Sequence, residues 1–67
     1  MNRNDKIEEI VEFVTNYPEC TASRAILRRY YLNNYNYETS KELGFELKDV
    51  LNVKNKDEIE FCFYLVK

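Results

Sequence analysis

Length is the property that most limits what this chain can fold into, because 67 residues can form only one domain around one small core. A domain of that size buries only about 60% of the surface that its unfolded chain exposes. Apolar residues make up 45% of the chain, and charges of both signs are interspersed among them, which favours folding over disorder. We therefore expect residues 1–67 to form one small domain with no enclosed substrate cavity.

The charge balance does not favour a nucleic-acid binder. The formal net charge is −2, whereas binding to phosphate usually requires an excess of basic residues. Only the segment 17–36 is basic, with Arg24, Arg28 and Arg29 against Glu19 alone. Any contact with DNA would therefore depend on local positive charge.

The residue types that most often run reactions are missing. The chain has no histidine, and the spacing of Cys20 and Cys62 matches no zinc or redox motif. Ser23 and Ser40 stand where helices should begin, so they are better explained as helix-start residues than as nucleophiles. We expect no catalysis, no metal and no cofactor.

The N-terminus predicts a protein of the cytoplasm, or of a host cell's cytoplasm. Residues 1–6 are mostly polar and lack the apolar stretch of a signal peptide, and no apolar run approaches membrane-spanning length. Both cysteines should then remain thiols.

Apolar spacing predicts the first helix, which ends before Pro18. Its apolar positions recur three and four residues apart, as one helical face requires: Ile7, Ile10, Val11, Val14 and Tyr17. Asn4 is the expected N-cap.

Two further helices follow. The second should run from about residue 22 to 33, capped by Thr21, before a loop at 35–37. Thr39-Ser40-Lys41-Glu42 matches a capping box and should begin the third. Gly44 either lies inside that helix, at a cost of about 1 kcal/mol relative to alanine, or divides it into two pieces.

The C-terminal tail predicts a strand. Ile59, Phe61, Phe63 and Leu65 alternate with other side chains at the period of two that strands show. Residues 54–57 resemble a turn, and residues 50–53 could supply the returning arm of a hairpin. The expected fold class is therefore α+β, with three helices followed by a C-terminal β-hairpin.

Two segments resemble DNA-binding regulators. Residues 10–23, with Asn16-Tyr17-Pro18 followed by Thr21, resemble the opening of winged-helix transcription regulators, whose first helix ends in Asn-x-Pro before a Thr or Ser cap. Residues 39–50, with Leu43-Gly44-Phe45, are similar to the helix-turn-helix of MerR-like regulators. The winged-helix resemblance implies a recognition helix at about 39–49 and a wing at 50–66. The other resemblance implies a recognition helix at about 47–53. The winged arrangement is preferred because it pairs the last strand.

The leading functional hypothesis is a small winged-helix-like regulator that binds double-stranded DNA. The third helix would face the major groove, the hairpin tip would contact flanking phosphate, and the second helix would grip the backbone. The residues expected to do so are Arg24, Arg28, Ser40, Lys41, Lys48, Lys54 and Lys56. Ordinary solvated charges are the competing explanation, and Glu42, Glu46 and Asp49 favour it because carboxylates repel phosphate.

The alternative hypothesis is a protein-interaction module, an inhibitor or adaptor of a host protein such as phages and viruses encode. It depends on a cluster of tyrosines, a residue type that is enriched at protein interfaces. They are Tyr30, Tyr31, Tyr35 and Tyr37. Some of them could instead simply close the core. A homodimer formed by strand addition at the C-terminus is a third expectation. Whether the basic residues converge on one face decides between DNA and protein as the partner.

Overall fold

The computed structural model describes residues 2–32 and 39–67, which form four helices. They are α1 (Arg3–Asn16), α2 (Thr21–Arg29), α3 (Ser40–Asn52) and α4 (Lys56–Val66). No strand occurs among the described residues. The expected α+β class with a C-terminal β-hairpin is therefore wrong, and the wing at 50–66 and dimerisation by a C-terminal strand are excluded with it.

The N-cap of helix α1 lies two residues earlier than predicted. The side-chain oxygen of Asn2, not Asn4, accepts a hydrogen bond from the backbone N–H of Asp5 at 2.8 Å. The predicted apolar stripe is confirmed in Ile7, Ile10 and Val14, which are buried. The helix ends before Pro18, as predicted.

Helix α2 begins one residue earlier than predicted, because Thr21 is its first residue and not its N-cap, and the helix is shorter. Cys20 is its N-cap, and the helix ends at Arg29 in a Schellman motif, in which Leu32 N–H bonds the Leu27 carbonyl at 2.8 Å and Tyr31 N–H bonds the Arg28 carbonyl at 3.2 Å. Tyr31 occupies the left-handed position of that motif with φ 59°. The predicted end at Asn33 lies outside the described residues.

Helix α3 confirms the predicted cap. Thr39 Oγ1 accepts a hydrogen bond from Glu42 N–H at 3.2 Å, and the helix continues unbroken through Gly44 to Asn52. Val50 belongs to this helix and Val53 caps its C-terminus. The prediction that residues 50–53 form a hairpin arm is therefore wrong.

Helix α4 replaces the predicted strand at 59–66. The side chain of Asn55 accepts a hydrogen bond from Glu58 N–H at 3.0 Å, and Asp57 and Glu58 lie in the first turn, where the helix dipole favours anions. Ile59 and Cys62 are buried three residues apart. Because nearly every residue from 59 to 66 is apolar, the sequence fits the strand period of two residues as well as the helix period of 3.6. The capping residues at the start of the segment favour the helix.

The four helices enclose one core around α1. Helix α1 packs mainly against α3 and α4, and α2 packs against α4 and α1. All four helices contribute to the core, whose apolar members are Ile7, Ile10, Val14, Ile26, Leu27, Leu43, Leu47, Leu51, Ile59 and Cys62.

Arg3 fixes how α1 and α3 are oriented. Its Nη2 lies 3.1 Å from the Leu51 carbonyl oxygen, 3.0 Å from that of Asn52 and 2.6 Å from that of Lys54. The start of α1 therefore meets the end of α3, and the two helices run antiparallel. The guanidinium also satisfies carbonyl groups that a helix C-terminus leaves without partners.

None of the described helices is long and apolar enough to cross a membrane.

Candidate functional site

The outer face of α4 carries exposed aromatic side chains. Phe61 and Tyr64 are 44% and 81% exposed, and they lie three residues apart, so they are neighbours on the helix surface. Leu65, half-buried, lies beside Phe61 on the same helix. We call Phe61, Tyr64 and Leu65 the α4 outer face.

An ion pair joins α2 to α4 at the edge of this face. Arg29 Nη2 and Nε donate to the two carboxylate oxygens of Glu58 at 2.7 and 2.9 Å, a bidentate geometry that fixes the guanidinium plane. The same guanidinium carbon lies 4.5 Å from the centroid of the Phe61 ring. Arg29 therefore holds Phe61 by a cation–π contact while Glu58 holds Arg29.

The pKa values of this cluster follow from its contacts. Hydrogen bonds from Arg29 and then Tyr30 lower the pKa of Glu58 to about 2. Burial, and then hydrogen bonds to Cys62 and Glu58, raise the pKa of Tyr30. Burial likewise raises the pKa of the Cys62 thiol. At neutral pH the cluster is therefore an ion pair beside a neutral phenol and thiol, and it joins α2 to α4.

Tyr30 belongs to that joint and not to an open aromatic cluster. Its hydroxyl donates to Glu58 Oε2 at 2.8 Å and lies 3.1 Å from Cys62 Sγ. Tyr31 is 96% exposed, so the two neighbours have different environments. Tyr35 and Tyr37 lie outside the described residues.

A second surface is a groove between the antiparallel helices α1 and α3. Its floor includes Val11 and Gly44, and Phe45, 59% exposed, lies along it. A Cβ placed on Gly44 would stand 2.8 Å from Thr15 Cγ2 and 3.4 Å from Val11 Cγ1, so glycine allows the two helices to come this close. We call this surface the α1–α3 groove.

The residues predicted to bind DNA line four separate depressions. Ser40, Lys41 and Lys48 border the α1–α3 groove together with Glu8 and Glu12. Arg24 and Arg28 lie on the outer side of α2 with Thr21 and Ala25. Lys54 lies beside Arg29 and Glu58, with its Nζ 5.4 Å from the Tyr30 ring centroid. Lys56 lies with Arg3, Lys6 and Glu60.

Carboxylates accompany three of those four groups. Glu8 and Glu12 face Lys41 and Lys48 across the groove, Glu58 lies beside Lys54, and Glu60 lies beside Lys56. Glu60 is also paired with Lys6. Only the pair Arg24 and Arg28 lines a depression without a carboxylate. The seven residues are therefore divided among four depressions, three of which also hold carboxylates.

The cysteines differ in environment. Cys20 Sγ caps α2, lying 3.5 Å from Ser23 N and 3.3 Å from the Ser23 hydroxyl, and hydrogen bonding to Ser23 lowers its pKa. Both thiols are free. Within 2–32 and 39–67, no three metal-binding side chains of Cys, Asp or Glu come together.

Sequence reasoning missed both the α4 outer face and the α1–α3 groove. A strand would place Phe61 and Tyr64 on opposite faces, whereas with Asp57 they follow a spacing of four and three residues along one side of a helix. The groove had a signal in Glu8, Val11, Glu12 and Thr15, which repeat the spacing of Lys41, Gly44, Phe45 and Lys48. On α1 and on α3, these residues form a second stripe beside the stripe that faces the core.

Comparisons with protein families, with curated proteins and with solved structures found no match to this chain.

Proposed function

We propose that this chain is a non-catalytic protein-interaction module that binds an apolar surface of a partner protein through the α4 outer face. The observation that carries this proposal is the composition of α4, which is apolar around its whole circumference from residue 59 to 66 except at Glu60. A helix of that kind is usually covered on all sides. Here the bundle covers one side, and the outer side still exposes Phe61 and Tyr64.

The chemistry of the α4 outer face is suited to protein recognition. Tyrosine and arginine are enriched among the residues that dominate binding energy at interfaces. Tyr64 lies on this face, and Arg29 lies at its edge. Each aromatic ring offers about 1.5–3 kcal/mol on complete burial, and the Tyr64 hydroxyl needs a hydrogen-bond acceptor once covered. The expected partner surface is therefore an apolar depression with an acceptor at its edge. Because Arg29 is already engaged with Glu58, it would enter the interface without leaving an unpaired charge.

DNA binding remains the alternative, with less support. The seven predicted residues are divided among four depressions, three of which also hold carboxylates. Phosphate contacts need several cations on one track along the backbone. Duplex binding at low salt that weakens in Lys41→Ala/Lys48→Ala would favour the DNA alternative over our proposal.

The proposal retains the location expected from the sequence, the cytoplasm or a host cell's cytoplasm.

The test uses a double substitution on the α4 outer face and a matched control. Phe61→Ser/Tyr64→Ser removes both exposed rings, and Tyr17→Ser removes a ring on α1 that is 59% exposed. A photo-reactive phenylalanine analogue at position 64 would capture the partner in producing cells, with position 17 as the control. The captured protein, once purified, would be titrated by calorimetry.

We expect the purified partner to bind the wild type and Tyr17→Ser alike, and to bind Phe61→Ser/Tyr64→Ser about 100-fold more weakly or worse, given the apolar area removed. Equal affinity for all three chains would contradict the proposal. Capture that disappears after nuclease treatment would contradict it too, because nucleic acid would then be what holds the complex together.

A further inference from the structure

The α1–α3 groove has two rims of opposite charge. Glu8 and Glu12 stand on the α1 side, and Lys41 and Lys48 stand on the α3 side. The ion pairs of Lys6 with Glu60 and of Arg29 with Glu58 involve none of these four. Lys41 instead lies over Phe45, with its Nζ 5.9 Å from the ring centroid.

Between the rims the floor is small and apolar. Gly44 is buried at the point where α3 meets Val11 and Thr15, and it leaves a depression instead of a side chain. Phe45 stands next to that depression and is more than half exposed. A ring and a recess on the same surface allow the surface to fit a copy of itself, which is the requirement of an isologous interface.

From this geometry we infer that a second copy of this chain docks on the α1–α3 groove, with a two-fold axis parallel to the groove. That axis places α1 of each copy against α3 of the other and makes a bundle of four helices at the interface. The acidic rim of each copy then faces the basic rim of its partner, and Phe45 of each copy is covered.

The levels of the charges along the groove agree with this arrangement. Gly44 lies opposite Val11 and Thr15, and the helices run antiparallel, so Lys48 stands about 6 Å further along, near the level of Glu8. A two-fold axis parallel to the groove leaves the position of each residue along the groove unchanged. It therefore brings Glu8 opposite Lys48 of the partner subunit. Glu12 falls between that lysine and Lys41 of the partner subunit, within reach of either flexible chain.

A two-fold axis across the groove is excluded by the same charges. It would place Glu8 and Glu12 against their own copies and Lys41 and Lys48 against theirs, which like-charge repulsion disfavours. The charges therefore select one of the two symmetric arrangements.

The dimer leaves the α4 outer face free. None of its residues lines the α1–α3 groove, and α4 packs on another side of α1. The inference goes beyond the proposed function, because the dimer would carry two partner-binding faces and could bind a repeated target with avidity.

The test is sedimentation equilibrium at physiological salt with two charge-reversed variants. Glu8→Lys/Glu12→Lys makes both rims basic, and Lys41→Glu/Lys48→Glu makes both rims acidic. Each variant alone should remain a monomer of 8.1 kDa, while the wild type should reach twice that mass at concentrations of about 0.1–1 mM, as a small interface requires. The two variants mixed should restore the dimer, because each rim then meets its opposite.

A control separates rim pairing from overall attraction. Arg24→Glu/Arg28→Glu changes the net charge from −2 to −6, as Lys41→Glu/Lys48→Glu does, since two cations become two anions in each case. Its substitutions lie on α2, away from the groove. This control should dimerise by itself. When it is mixed with Glu8→Lys/Glu12→Lys, the fraction of mixed dimers should be much smaller than in the mixture of Lys41→Glu/Lys48→Glu with Glu8→Lys/Glu12→Lys.

Three results would overturn the inference. The wild type could stay monomeric at about 1 mM, which would mean that the groove does not bind a second copy of this chain. Both charge-reversed variants could dimerise as the wild type does. Dimerisation could instead be lost in Phe61→Ser/Tyr64→Ser and kept in the charge-reversed variants, which would assign the dimer to α4. The first two leave the proposed binding of a partner through α4 untouched, so the two ideas fail separately.

Discussion

Gly44 and Thr15 meet so closely that a larger residue at position 44 would have to displace Thr15: an added Cβ would stand 2.8 Å from Thr15 Cγ2. Thr15 cannot turn away freely, because its hydroxyl donates to the Glu12 carbonyl at 3.0 Å. This contact sets the spacing of α1 and α3 and the depth of the groove between them.

Gly44→Ala should therefore destabilise the fold, although alanine favours helices by about 1 kcal/mol over glycine. Overpacking at such a contact costs about 1–3 kcal/mol, so we expect a net loss of about 1 kcal/mol in the free energy of unfolding, measured by urea denaturation. In a Thr15→Ser background, which removes Cγ2, the same substitution should become neutral or stabilising. An equal effect in both backgrounds would contradict the contact.

Asn55 is the cap on which α4 depends. Asn55→Ala removes the acceptor for Glu58 N–H and should lower the free energy of unfolding by about 1 kcal/mol. Asn52→Ala, an exposed change at the last residue of α3, is the control and should stay within about 0.5 kcal/mol of the wild type. A larger loss from the control than from Asn55→Ala would be inconsistent with a helix that begins at Lys56.

The pairing of Glu58 with Arg29 should make stability depend on pH. The folded-state pKa of Glu58 is about 2, below its unfolded value near 4.3, so the pair stabilises the fold above that unfolded value. The stabilisation is lost as the pH falls toward 2. The melting temperature of Glu58→Gln should lie below that of the wild type at pH 6, and the difference should shrink steadily between pH 4.5 and pH 2, intervals set by these two pKa values. A constant difference down to pH 2 would contradict the lowered pKa.

The two cysteines should react at very different rates. Cys20 is half-buried and its pKa is lowered by hydrogen bonding to Ser23, whereas Cys62 is fully buried and its pKa is raised. Because the thiolate is the nucleophile, iodoacetamide should label Cys20 in the native protein, with a pH midpoint below that of an ordinary thiol. Cys62 should be labelled only in denaturant. Mass spectrometry of Cys20→Ser checks this, since rapid native labelling of that variant would show Cys62 to be accessible.

Tyr31 is held in a left-handed conformation with φ 59°, at the position of the Schellman motif where glycine is preferred. A non-glycine residue there costs about 1 kcal/mol or more. Tyr31→Gly should therefore raise the free energy of unfolding by about 1 kcal/mol. Tyr31→Ala removes the same exposed ring without relieving the backbone, and it should change little; an equal gain from both would attribute the effect to the ring.

The sequence predicts the parts of the fold in which polar and apolar residues contrast. The apolar Ile7, Ile10 and Val14 alternate with charged and polar residues at helical spacing. Thr39 and Glu42 form a capping pattern that predicts the start of α3. The tail lacks that contrast, because Cys62, Tyr64 and Val66 fill the positions between Phe61, Phe63 and Leu65. A strand and a helix then fit equally well, and the deciding residues are Asn55, Asp57 and Glu58 at its start. They form a cap pattern, and two of them, Asn55 and Asp57, also fit the turn predicted at 54–57.

The candidate surfaces were harder to predict for a different reason. The α4 outer face follows once α4 is known to be a helix. The α1–α3 groove depends on which helices become neighbours, and the contact of Gly44 with Thr15 joins residues 29 positions apart in the chain. Local patterns of charge and hydropathy carry no information about such pairings, so Lys41 and Lys48 were assigned to DNA without the carboxylates that face them.

The α4 outer face exists only if residues 56–66 form a helix with one side in the core. The most direct measurement is the set of Cα chemical shifts and backbone Overhauser contacts of these residues by solution NMR. We predict downfield Cα shifts throughout, contacts between residues three apart, and contacts of Cys62 with α1 or α2. Upfield Cα shifts with cross-strand contacts between 50–53 and 59–66 would contradict the account and restore the hairpin.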